Sequence, residues 1–125
     1  MSGKQNFKKR NFFDDLDRLE KFQLCEDREI KKVDTLSANL KRYIACNNFV
    51  DALIATDRIC DILLKLIGEY DDTYLNIIYT CLDSEKVSDF ELIQSFRDDY
   101  LKLKSRYSSY KIISAKILAK LNKMT

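Results

Sequence analysis

Residues 88–124, SDFELIQSFRDDYLKLKSRYSSYKIISAKILAKLNKM, contain neither glycine nor proline. Ile93, Phe96, Tyr100, Leu103, Tyr107, Tyr110, Ile117, Leu121 and Met124 recur in three-then-four steps, with Ser114 alone out of step. A heptad seam of this kind is the pattern of one helix packed along another. Ser88 lies three residues before Glu91, so hydroxyl and carboxylate can each satisfy an orphan amide at the start of the helix. At 1.5 Å per residue such a helix is about 50 Å long. A rod of that length dominates a chain of 125 residues, and it predicts an all-α fold: an elongated helical bundle with a long, coiled-coil-like C-terminal helix.

The rest of the composition agrees. The hydrophobic content of 46% is that of a chain that folds around a core. There are no prolines and two glycines, Gly3 and Gly68, so the left-handed backbone freedom that hairpin turns favour is nearly absent. No run of about 18 uncharged apolar residues exists, and no apolar segment follows the basic N-terminus, which predicts neither a membrane span nor a signal peptide. Cytoplasmic residence is the expectation.

Working back from the rod, residues 1–10 lack apolar periodicity and read as a flexible basic arm, leaving 11–125 as one helical bundle domain. Asn11 is a suitable cap, and Asp14, Asp15 and Asp17 complement the dipole of the first turns. Phe12, Phe13, Leu16, Leu19, Phe22 and Cys25 form an apolar stripe that lapses at Glu26–Glu29 and resumes from Ile30 to Ile44. With no breaker present, one helix from Phe12 to Cys46 is the first reading, and a turn within 26–29 the second. Asn47 and Asn48 mark a corner that folds the next helix back antiparallel. That helix, from Phe49, is the most apolar segment, with a band too broad for a single seam, and is expected to be buried on two or more sides. Gly68 is the expected helix stop, Asp72 or Thr73 the next cap, Tyr74–Leu82 a short helix, and 83–87 the connection into the rod.

Chemistry has few candidates. The chain has no histidine, the usual general acid or base, and its acidic doublets (Asp14-Asp15, Asp71-Asp72, Asp98-Asp99) are adjacent residues that diverge on a helix and read as cap or surface charge. Two distant glycines exclude a glycine-rich phosphate loop. Cys25, Cys46, Cys60 and Cys81 are too widely spaced for a zinc or redox motif and sit within apolar patterns, where a reduced cysteine behaves as a small hydrophobe. No catalytic residue, metal or cofactor is therefore expected, and the chain reads as non-enzymatic.

Charge is distributed unevenly. Four basic residues and no acid occupy 1–10, and seven basic residues and no acid occupy 101–125. The net charge of +2 leaves about nine net negative charges on the span between them. Tyr100, Tyr107 and Tyr110 hold seam positions where a half-buried ring with its hydroxyl at the rim suits a surface later covered by a partner; wide filling between helices of the same chain is the other reading. The seam is expected to outrun the preceding helices. From this, Tyr100, Leu103, Tyr107, Tyr110, Ile117 and Leu121 are the candidate partner-binding residues, completed from about Tyr107 onward by a helical subunit of another protein. The alternative is a nucleic-acid-associated helical protein that uses its basic C-terminal helix, although no recognised DNA-binding motif is present.

Four features occur in order: a Leu-x-x-Leu-Glu helix at 16–20, the apolar run Ile59-Cys60-Asp61-Ile62-Leu63-Leu64-Lys65-Leu66, the acidic-aromatic corner Glu69-Tyr70-Asp71-Asp72-Thr73-Tyr74, and a long closing helix. Together they resemble the smallest all-helical subunit of the dynactin shoulder. The resemblance implies a non-enzymatic, cytoplasmic, cytoskeleton-associated subunit of a microtubule-motor adaptor, packed with dynamitin and a large coiled-coil subunit.

Overall fold

The computed structural model describes residues 12–82 and 90–124. The basic arm, the caps expected at Asn11 and Ser88 and the 83–87 connection lie outside the described residues. The described residues form four helices and one π-helical turn: α1 (Phe12–Ala45), α2 (Phe49–Glu69), the turn Tyr70–Tyr74, α3 (Leu75–Leu82) and α4 (Phe90–Met124). No strand occurs among the described residues. The fold is an all-α, elongated bundle built on three long helices.

Helix α1 runs unbroken for 34 residues, because the charged stretch at 26–29 contains no residue that forbids helical backbone. Its end is set by Asn47, whose φ of 58° places it in the left-handed region. The Asn48 N–H donates to the Tyr43 carbonyl (2.8 Å) and the Asn47 N–H to the Ile44 carbonyl (3.1 Å), the paired bonds of a Schellman motif. Asn48 then caps α2: its side-chain oxygen accepts from the Asp51 N–H, and its amide nitrogen donates to the Asp51 carboxylate at 2.7 Å. Two adjacent asparagines thus end one helix and begin the next.

Contacts between elements fix the directions. Arg106 meets Asp34 and Tyr110 meets Ser37, so α1 and α4 run parallel. Tyr100 meets Asp71 near one end and Lys120 lies over the Phe49 ring near the other, so α2 runs antiparallel to α4. Helix α2 is the middle element. Ala52, Ala55, Ile59, Leu63 and Leu66 are buried along it, and the two alanines let a neighbouring backbone approach. Thr56 enters the same core because its hydroxyl donates to the Ala52 carbonyl (2.8 Å), which removes the cost of an unpaired buried donor. The third face of α2 stays open: Val50 is 58% exposed, and Ile54 and Leu64 are also exposed.

The corner at 68–74 departs from the expected stop and new cap. Gly68 does not have positive φ; it is an ordinary helical residue, and a Cβ placed there would touch nothing within 4 Å. The chain instead keeps helical dihedrals through a π-helical turn closed by the Leu75 N–H on the Tyr70 carbonyl. The wider turn brings Tyr70 and Tyr74 onto one ring: Phe22 meets Tyr70 edge-on (4.8 Å between centroids) and stacks on Tyr74 (4.3 Å). Aromatic packing against α1 is the gain that offsets the poorer hydrogen-bond geometry of the turn.

Candidate functional site

The seam of α4 is lined from within the chain. Tyr100, Leu103 and Ile117 are buried, Ile117 to 3% exposure. Tyr107, Tyr110 and Leu121 are half-buried and pack against the same core, and Met124 is exposed. Toward its C-terminal end the seam packs along α2, where Lys120 lies over the Phe49 ring. Helix α1, parallel to α4, meets it through the side chains of Asp34 with Arg106 and Ser37 with Tyr110. Tyr110 is a spacer between the two, its hydroxyl donating to the Ser37 hydroxyl at 3.0 Å.

A buried polar cluster stands at the other end of the bundle. Glu26 is 6% exposed and accepts a 2.5 Å hydrogen bond from the hydroxyl of Tyr70, itself fully buried. Burial pushes the Glu26 carboxyl up to about 7, against the lowering effect of the tyrosine bond and with help from the nearby Asp99 and Asp27 charges. Burial, then the bond to Glu26, pushes the Tyr70 hydroxyl far up. The Asp99 carboxyl is also raised, chiefly by desolvation, with Lys102 opposing. Beside it the Tyr100 ring is buried while its hydroxyl reaches the rim and donates to exposed Asp71 (2.6 Å), a bond that raises its pKa to about 12. Glu26, Asp27, Asp99, Lys102 and Arg106 open onto a cleft of about 200 Å³.

This cluster was hidden in the sequence by reading Glu26–Glu29 as a lapse and the doublets as surface charge. The signal was present in the phase: Glu26 follows Leu19 and Phe22 at the next stripe position. A carboxyl titrating near neutrality in a cleft can exchange a proton under physiological conditions. Here it is held by a tyrosine of the same bundle, so its charge state is tied to packing.

Among the described residues, no group of three or more His, Cys, Asp or Glu side chains could hold a metal ion. Cys25, Cys46 and Cys60 are free thiols, with Cys60 buried and its pKa raised by burial. No described helix is long and apolar enough to cross a membrane.

Two outer features remain. Apolar side chains are exposed on α2 (Val50, Ile54, Leu64) and on α4 (Leu101, Ile112, Leu118). The acid-free end of α4 is partly engaged internally: Arg106 pairs with Asp34 (3.2 Å), Lys104 lies over Tyr100 and Lys120 over Phe49. Comparison with protein families, curated proteins and solved structures yields no match.

Proposed function

We propose that this chain is a non-enzymatic structural subunit that docks by helix–helix contact within a larger helical assembly, of the type represented by the small shoulder subunit of dynactin. The observation that carries the reading is the set of large apolar side chains on the outward faces of α2 and α4, with Val50, Ile54 and Leu64 spaced along one face of α2 and Leu101 and Ile112 along one face of α4. Rows of exposed apolar residues on a bundle whose own core is already closed favour protein contact. The sequence resemblance supports the cytoskeletal setting. A tagged full-length chain captured from native extract and analysed by mass spectrometry should carry helical partners at fixed stoichiometry. Recovery of the chain alone, as a monomer at physiological concentration, would refute the subunit reading.

Seven basic residues without an acid at 101–125 favour a second reading, association with nucleic acid. Three of those seven already engage groups of the same chain, which weighs toward protein. Nucleic-acid binding would show as an affinity that falls steeply with added salt.

A further inference from the structure

Helices α1 and α4 both lie against α2, and among the described residues no fourth long helix covers the side of this pair turned away from α2. Between their C-terminal halves runs a groove of about 430 Å³. Its floor is apolar, formed by Leu40, Ile44, Tyr110 and Ile113. The space exists because Tyr110 props the helices apart through its bond to Ser37, while the small residues Ser105 and Ser109 on α4 leave the volume beside the ring unfilled. Ile44 is 38% exposed on this floor.

The charge around the groove is of one sign. Lys41 and Arg106 line it and no acid does; Asp34, outside the lining, is paired with Arg106. Lys102, Arg106, Ser109, Ile113, Lys116 and Lys120 follow at steps of four and three along a single edge of α4, and Arg106, Ser109 and Ile113 are the members that line the groove. The cationic edge therefore continues beyond the groove to Lys116 and Lys120, whereas Lys102 on the other side faces Glu26, Asp27 and Asp99 across the neighbouring cleft. A second copy presenting the 101–125 part of its own α4 would bring seven further positive charges and no acid to this edge, which like-charge repulsion opposes.

We infer that the α1–α4 groove receives an acidic amphipathic helix of a partner protein, which seats apolar residues on Leu40, Ile44 and Ile113, sets carboxylates against Lys41 and the cationic edge of α4, and completes a four-helix bundle. The inference rests on the subunit reading and adds the site and the chemistry of its partner. The apolar floor supplies affinity, and the charges set orientation and exclude basic helices.

The test uses the full chain and a labelled synthetic helix with leucine at heptad positions a and d and glutamate at e and g, followed by fluorescence anisotropy. A version with lysine replacing glutamate and anionic phospholipid vesicles serve as alternative guests. Saturable binding of the acidic helix alone is expected, weakened about tenfold by Lys41→Glu, a loss of about 1.4 kcal/mol, and abolished by Ile44→Glu, with Lys21→Glu, an exposed charge reversal toward the other end of α1, as the control that leaves it unchanged. Thermal melts check folding, and Lys41→Glu, an exposed change, carries the test if Ile44→Glu unfolds the chain. The groove assignment is overturned by no binding of the acidic helix, by equal binding of the basic helix, by vesicle binding in place of peptide binding, by indifference to both groove variants, or by self-association that Ile44→Glu dissolves. Stoichiometric capture of native partners that persists in Ile44→Glu would remove the groove and leave the subunit reading standing. Peptide binding by a chain that is monomeric and alone in extract would do the reverse.

Discussion

Replacing Glu26 by Gln isolates the energetic effect of one buried carboxyl. In the unfolded chain this group titrates at its ordinary value of 4.5, and in the bundle at about 7. Below pH 4.5 both states hold the proton, and the folded state carries no penalty. Between 4.5 and 7 the unfolded chain ionises while the folded one stays neutral, so the folded state binds more protons and stability falls as pH rises. Above 7 the loss is complete. Two and a half pKa units correspond to about 3 kcal/mol as an upper limit, or about 10 °C in melting temperature for a bundle of this size. Tyr70 from the π-helical turn, Asp99, Lys102 and Arg106 from α4 and Asp27 on the same helix surround the group and act in both protonation states. Gln keeps an oxygen for the Tyr70 hydroxyl and cannot ionise. Thermal or urea unfolding of wild type and Glu26→Gln at pH 4 and pH 8 measures the difference, and the subtraction cancels every other titrating group that the substitution leaves undisturbed. The variant should gain on wild type as pH rises, ending the more stable of the two at pH 8. A difference that stays constant across this range, or a variant less stable at pH 8, would show that Glu26 is not held neutral by burial.

Two further substitutions probe the architecture. Gly68→Ala should stabilise by about 0.5–1 kcal/mol in urea unfolding, since the residue is helical and the added methyl meets only open space; destabilisation would mean that the backbone there needs glycine. Leu63→Ala should cost about 2–5 kcal/mol in the same assay, because the side chain is fully buried in the middle helix, and a cost below about 0.5 kcal/mol would place α2 at the surface.

Much of the bundle was legible in local chemistry. The absence of proline, the near absence of glycine and the heptad seam at 93–124 are enough for helices, since backbone hydrogen bonds within a helix are satisfied locally and the period of apolar residues names the buried face. The corner at Asn47 and Asn48 was readable for the same reason: left-handed backbone and capping are properties of single side chains. The sequence stripe also carried α1 across its charged stretch, because no residue there breaks a helix.

What depended on tertiary structure was everything set by a partner far away in the chain. Gly68 carries a stop signal by itself, yet the helix passes through it, because continuing in a π-helical turn brings Tyr70 and Tyr74 against Phe22, 48 and 52 positions earlier. Glu26 reads as surface charge until Tyr70 is placed upon it. The seam of α4 reads equally as filling within the chain or as a surface for another protein; the fold sets it along antiparallel α2, with α1 parallel to it at Arg106 and Tyr110, directions that no residue in α4 encodes. Periodicity tells which face of a helix is buried; only the packed fold tells what buries it, because that contact joins residues whose separation along the chain carries no local signal.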